Sequence, residues 1–472
     1  MVQGRIRGVE HEGFDSYIGI PYATVNGYGG RFKKGNIAPT WLGIRESHDP
    51  YCTFRSEATD CLQLDVYVPK AAGAPWPVLV WVKSSSGDYH PDKLVKQGII
   101  VVIARHRIGP IGFLCSQEDH IPGNVGVKDI VSALRWVRDN IVAFKGNPHR
   151  VVVAGQGFGA AIVEALTITP MADGLFHGAI IQSGSILAPW AFNYDATDKT
   201  QYLQLMLNDT ELLRAPTMDI VEQSEELDVP YFPFGLCIEK AIKNEESLFS
   251  EAPYNTLMKG KMSSVPLIIG YNTDEAYIFI STLQDVKSIK KMARDTSYLL
   301  PAEFQAMSER EMRPIIKQVT DMYFNNDITT SSVLGYYRDA YFLNHIYRSV
   351  KFHASHSPVY FYQFSHSGNV GVLPEADVQK SGAAHSDELA YLFPSDIDFD
   401  GDDVAVHQHM IQLWTSFVKD LKPSGPVEWD TMASQYPRLL DISTSPTMMD
   451  FPHRREMAMW EGIYEKYYFR RH

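Results

Sequence analysis

Residues 155–160, Gly155-Gln-Gly-Phe-Gly-Ala160, are the stretch of this chain that bears most directly on chemistry. They follow a short β-branched run, Val151-Val-Val-Ala154, and lead into a helical AIVEAL. Strand, tight turn with flanking glycines, then helix is the geometry of a nucleophile elbow. Such a turn holds its middle residue at strained dihedrals and needs small neighbours so that strand and helix pack closely. A serine in the middle would attack an acyl carbon. Here the middle residue is Gly157, which has no side chain and attacks nothing. Gly155 and Gly159 read as packing glycines. The pattern GQGFGA matches a dinucleotide-binding glycine motif only superficially and no P-loop is present, so no cofactor is expected. HPDKLVK at 90–96 and VHQHM around His407 and His409 lack carboxylates at ligand spacing. Two histidines two apart on a helix also face different sides. No metal is expected.

The elements that must position the turn are legible as apolar runs. Val78–Val82, Ile99–Ile103, Val151–Ala154 and Pro266–Gly270 are almost wholly apolar, as central parallel strands covered on both faces should be. Between the second and third, Val127, Ile130, Val131, Leu134, Val137 and Ile141 recur at three- and four-residue spacings and predict a helix. A second helix over about 405–421 buries Met410, Leu413, Trp414, Phe417 and Val418. Strand–helix–strand repetition points to a doubly wound α/β sheet. The charge-rich, weakly periodic region from about 195 to 350 reads as helical, cap-like insertions within one unit spanning 1–472.

The 472 residues are 45% hydrophobic and 21% charged, values that exclude a disordered or low-complexity chain. Lys and Arg number 43 against 56 Asp and Glu, and the net charge of −13 argues against a nucleic-acid partner. No apolar run approaches the ~20 residues of a membrane span. The first residues, MVQGRIRGVEHEGFD, lack the apolar core of a signal peptide, and a cytoplasmic and a secreted protein both stay open. Among four cysteines, Cys52 and Cys61 lie close enough to close a small loop, while Cys115 and Cys237 sit in apolar settings suited to buried thiols. Asn208-Asp209-Thr210 is a single glycosylation sequon.

Several segments, correctly ordered from end to end, resemble the type-B carboxylesterase/cholinesterase family. They include GIPYA at 19–23, DCLQLDVYVP at 60–69, GPIGFL at 109–114 and GNVGVKDIVSALRWVRDNIVAFKGNPHRV at 123–151. GLFHGAIIQSGS at 174–185, LWTSF at 413–417, PRLLDI at 437–442 and MWEGIY at 459–464 complete the set. GRIRGVEHEGFDSYIGIPYA and HSDELAYLF are closest in flavour to insect carboxylesterases. The resemblance implies an α/β-hydrolase fold, a mostly parallel sheet flanked by helices, with a gorge leading to the top of the sheet.

It also implies positions for a Ser–Glu–His triad. The acid falls at Glu275 in GYNTDEA, the base at His385 in GAAHSDEL, and the nucleophile at Gly157. With no nucleophile beside it, His385 is expected to pair with Glu275 as a satisfied buried pair. Active relatives carry HGGG after the strand corresponding to Val78–Val82, and its backbone N–H groups bind the developing oxyanion. This chain reads Lys83-Ser84-Ser85-Ser86 there, and serine resists the dihedrals that glycine supplies. Ser84, Ser85 and Phe158 thus mark a vestigial oxyanion region, with Phe158 replacing a small residue. Nothing places the hydroxyls of Ser84–Ser86 at an elbow, so a substitute nucleophile there is not expected. Lys83, Ser86, Gln156, Phe158 and His385 are candidate pocket residues.

The expectation is a catalytically inactive carboxylesterase-like protein that binds or sequesters a hydrophobic small molecule or ester in its vestigial gorge. A cholinesterase-like adhesion ectodomain, in the manner of neuroligins and neurotactin, is the alternative, and weak or altered ester hydrolysis a second. A protein partner and a homodimer stay open.

Overall fold

A computed structural model describes the chain apart from residues 26, 49–51, 54–55, 57–60, 85–88, 117, 208–211, 228–232, 243–245, 280–299, 302–303, 305–306, 325–327, 372–379, 395–396, 434–435 and 468–472, and the side chains of 28–29. The sequon at Asn208 lies outside the described residues, as do Ser85 and Ser86.

The central element is an eleven-stranded sheet. In chain order its strands are β1 (Val9–Glu10), β2 (Phe14–Pro21), β3 (Gln63–Pro69), β4 (Trp76–Val82), β5 (Ile100–Ala104), β6 (Gly146–Gln156), β7 (Gly178–Gln182), β8 (Leu267–Asn272), β9 (Val359–Phe364), β10 (Arg438–Ile442) and β11 (Thr447–Asp450). Their spatial order is β11-β10-β9-β8-β7-β6-β4-β5-β3-β2-β1. Every pairing from β5 through β10 is parallel, and the strands at both edges pair antiparallel.

The apolar runs are continuous because both faces of the sheet are covered. Val78, Val80, Val82, Val102, Val153, Ile181 and Ile269 face one layer, with α1 (Val125–Asn140) and α2 (Phe158–Ile168) packed on it. The alternate residues Leu79, Trp81, Val101, Ile103, Val152, Ala154, Ile180 and Ile268 face the other layer. Strand side chains alternate between faces, so covering both leaves no polar position in the middle of a strand. At the carboxyl ends of three central strands polar residues return, as Gln156 on β6, Gln182 on β7 and Asn272 on β8.

The 195–350 stretch carries α3 (Ala196–Met206), α4 (Thr217–Glu225), α5 (Glu309–Tyr323), α6 (Thr330–Arg338) and α7 (Asn344–Ala354), with β8 in its midst. Between α6 and α7 the backbone makes one π-helical turn, Asp339–Leu343. Trp190 Nε1 donates to the Tyr341 carbonyl at 2.7 Å, satisfying a group in that irregular turn. The opposite layer is filled by α8 (Gly401–Asp420), whose Met410, Leu413, Trp414, Phe417 and Val418 are all buried, and α9 (Arg454–Tyr467) follows near the C-terminus.

Cys52 and Cys61 form a disulfide, as their spacing suggests. Cys115 and Cys237 do too, which corrects their reading as buried thiols. Apolar surroundings suit a buried cystine as well as a buried thiol, and 122 residues of separation carry no pairing signal.

Candidate functional site

The carboxyl ends of β6, β7 and β8 meet at the turn after β6. Gly157 there has φ 58° and ψ −121°, left-handed backbone that glycine tolerates and larger residues resist. Its N–H donates to the Gln182 carbonyl at 2.9 Å, tying the turn to the neighbouring strand. The packing around the turn is close. A Cβ on Gly155 would come within 2.5 Å of the Gly159 carbonyl, and one on Gly184 within 2.2 Å of the Gly157 carbonyl.

A Cβ built on Gly157 would stand 3.0 Å from His385 Nε2. The loop carrying His385 is pinned to the end of β8. Asp274 Oδ2 accepts from the N–H groups of Ser381 and Gly382, and Asn272 Nδ2 donates to the Ala384 carbonyl at 2.7 Å. His385 Nδ1 lies 2.5 Å from Glu275 Oε2, and the other carboxylate oxygen accepts the Asn272 N–H at 2.7 Å. With Nδ1–H donated to Glu275, Nε2 is left as an acceptor. The Gln156 side-chain amide donates to it at 2.9 Å. The N–H that this nitrogen faces belongs to a carboxamide and not to a hydroxyl.

Behind this pair lies a buried polar chain. Trp414 Nε1 donates to Gln182 Oε1, Gln182 Nε2 to Glu388 Oε1 at 3.1 Å, and Asn272 Nδ2 to Glu388 Oε2 at 2.5 Å. Burial and the charge of Glu275 push the Glu388 carboxyl up to about 7, against the hydrogen bond from Asn272 and the nearby His385. Burial acts to neutralise His385, yet Glu275, then Glu388 and Asp387, outweigh it and hold its pKa above the ordinary histidine value. Phe342, delivered by the π-helical turn, stacks obliquely 5.1 Å from the imidazole.

Phe158 starts α2 and sets its ring edge-on to Phe113 at 4.9 Å. It walls a mainly apolar cavity of about 350 Å³ that reaches Val221 on α4 and Phe234. Ser84 also lines this cavity, its hydroxyl donating to the Gln156 carbonyl at 3.1 Å. The structure thus brings Gly157, Glu275, His385 and Gln156 together, with Ser84 and Phe158 one step away. Lys83 goes elsewhere. Its ammonium sits 5.4 Å above the Tyr89 ring, beside a separate cavity of about 1160 Å³. Ser85 and Ser86 lie outside the described residues.

Sequence reasoning passed over Glu388, Asn272, Gln182, Phe342 and His106, a further wall residue of the 350 Å³ cavity. Glu388 had a signal, an acid just before the apolar LAYLF. Phe342 had none. Among the described residues no group of three or more His, Cys, Asp or Glu side chains could hold a metal ion.

The profile of the carboxylesterase family matches residues 1–460. The chain belongs to the carboxylesterase family. Among relatives, esterase FE4 of Myzus persicae is 28% identical over 86% of this chain and 80% of its own length. Juvenile hormone esterase of Tribolium castaneum is 27% identical over 91% and 84%, and mouse neuroligin-3 is 26% identical over 95% and 66%. The crystal structure of juvenile hormone esterase from Manduca sexta superposes with a TM-score of 0.87 at 24% identity, covering 98% of this chain and 97% of that one. That likeness speaks for the α/β-hydrolase fold. The turn at the end of β6 in this carboxylesterase-family fold has glycine as its central residue.

Proposed function

We propose that this carboxylesterase-family chain is catalytically silent and holds a hydrophobic small molecule beside its vestigial site. Gly157, Glu275 and His385 stand at the nucleophile, acid and base positions, and Ser84 and Phe158 at the former oxyanion region. One observation carries the reading. The imidazole nitrogen that would take a nucleophile's proton is occupied by the Gln156 amide, 2.9 Å away, over a residue with no side chain. In subtilisin, loss of the nucleophilic serine alone costs about 10⁶ in kcat. Removal of one oxyanion donor there costs about 10²–10³. Ser84 offers no rescue, because its hydroxyl is directed to the Gln156 carbonyl rather than to His385. The apolar cavity behind Phe158 supports retention of a ligand.

The test is turnover of p-nitrophenyl butyrate by the native protein beside a His385→Ala variant. Equal background rates are expected. Native turnover that disappears with His385 would sink the proposal.

Protein recognition is the second reading, favoured by the match to neuroligin-3 over nearly the whole chain. It places function on the outer surface and leaves the cavity empty of consequence. Binding of a small apolar probe to the native protein therefore separates the two.

A further inference from the structure

From Ser16 to Arg45 the chain carries no Asp or Glu, although acids outnumber bases overall by 56 to 43. Within that span Arg31, Lys33 and Lys34 precede, and Arg45 follows, the uncharged segment Ile37-Ala-Pro-Thr-Trp-Leu-Gly-Ile44. Three apolar side chains of this segment stand in solvent. Leu42 is fully exposed, Ile37 is 89% exposed and Ile44 51%. Single exposed hydrophobes are ordinary on a protein surface, whereas grouped ones mark a contact. The segment is tied to the body of the protein. Its last residue begins the strand Ile44–Glu46, which pairs in parallel with Arg5–Arg7 and sets Arg5 beside Ile44 and Arg7 beside Glu46. Trp41 donates its backbone N–H to the Gln3 carbonyl at 2.9 Å and its indole N–H to the Arg5 carbonyl at 2.8 Å. Gln3 is buried, and bonds Trp136 on α1 and the Pro21 carbonyl of β2.

Two of the surrounding cations already face acids, Arg7 with Glu46 at 3.0 Å and Lys34 with Glu246 at 2.5 Å. Both pairs are exposed, so they contribute little in water and leave the cations open to other anions. The Arg45 guanidinium lies 5.5 Å from the centre of the Trp41 ring. We propose that the Ile37–Ile44 tip docks on an anionic membrane surface. Leu42, Ile37 and Ile44 enter the headgroup boundary, Trp41 sits at its level, and the flanking cations meet the phosphates. Apolar side chains, tryptophan and basic residues are the combination that such an interface takes. Three apolar side chains fall far short of the ~800 Å² per partner of a stable protein interface. A second copy would set the same cations against one another across a two-fold contact. The proposal is independent of what the apolar cavity holds.

The native chain supplies its own reporter. Of its eight tryptophans seven are buried, and Trp41 alone is partly exposed. Vesicles of equal parts phosphatidylcholine and phosphatidylserine should carry the native protein down on sedimentation, and vesicles of phosphatidylcholine alone should not. Added salt should release it. The same mixed vesicles with brominated acyl chains should quench the emission of Trp41, a readout that needs no variant. Arg5→Gln and Lys34→Gln should each weaken binding about fivefold at low ionic strength. Leu42→Ser should weaken it on the order of tenfold. All three positions are exposed, so the variants should keep the native urea midpoint. Sedimentation without quenching of Trp41 overturns the proposal, by placing the contact on another face. Equal binding to both kinds of vesicle overturns it by removing the role of charge. No binding to either also overturns it, and a solution dimer that Leu42→Ser dissociates would then name a second copy as the occupant.

Discussion

A single exchange at position 157 would not restore an esterase, because the residue before it has taken the vacated place. A serine side chain at φ 58° would start 3.0 Å from His385 Nε2 and contest that nitrogen with the Gln156 amide. Gly157→Ser alone should stay near background. Gly157→Ser with Gln156→Ala should exceed it by on the order of 10² in ester hydrolysis, the lower end of what a positioned general base contributes. Rates of the two variants on one chromogenic ester check this, and equal rates would show that Gln156 is not the block. Glu388 sets a second expectation. Its folded pKa of about 7 exceeds the ordinary 4.5, so it favours the fold at low pH. That contribution is fully present below about 4.5 and is lost as pH rises through about 7, a change on the order of a few kcal/mol. Urea midpoints of native protein and Glu388→Gln, compared at pH 5 and pH 8, should show the variant gaining relative to native at the higher pH. The missing hydroxyl was legible from the sequence, since Gly157 sits between glycines after an apolar strand. The hydrogen bond from Gln156 was not, because which way a side chain leaves a strand's last residue depends on the turn beyond it.

At the scale of elements, α2 shows what a local pattern reveals and withholds. Its AIVEAL run reads as a buried helix, and Glu164 within it must then be a satisfied charge. Its partners come from far along the chain. Ser349 Oγ on α7 donates to it at 2.5 Å, the Ile186 N–H at 2.8 Å, and His353 Nε2 lies 3.4 Å away. Burial alone would raise this carboxyl's pKa, but His353, Ser349 and Ile186 together hold it below the ordinary value. Glu164→Ala should lower stability by about 3 kcal/mol, since it strands buried donors, and equilibrium urea unfolding measures that loss. A loss under 1 kcal/mol would show that this network does not bind α7 to α2. The strands were legible because burial on both faces leaves an unbroken apolar run. The π-helical turn at Asp339–Leu343 was not. It depends on contacts such as Trp190 to Tyr341 across 151 residues, and a window of neighbouring residues contains neither partner.

Across the whole molecule the ordered motifs disclosed the carboxylesterase scaffold, while the second disulfide escaped because pairing is a property of the folded chain. All four cysteines are bonded, as in proteins that fold in oxidising compartments. The Cys115–Cys237 bond spans 122 residues and joins the segment after the Gly109–Phe113 helix to the region beyond α4. Replacing both by alanine should lower the unfolding free energy by ~5 kcal/mol, the size expected for so long a loop. Urea denaturation of the double variant checks this, and an unchanged midpoint would refute it. The central claim concerns the entire surface of the protein, since it denies any activated serine on it. It is tested most directly by exposing the native protein to a fluorophosphonate and weighing the intact chain by mass spectrometry. The account predicts an unmodified mass under conditions that label an active esterase to completion. A stoichiometric adduct that maps to a serine and vanishes in His385→Ala would contradict it.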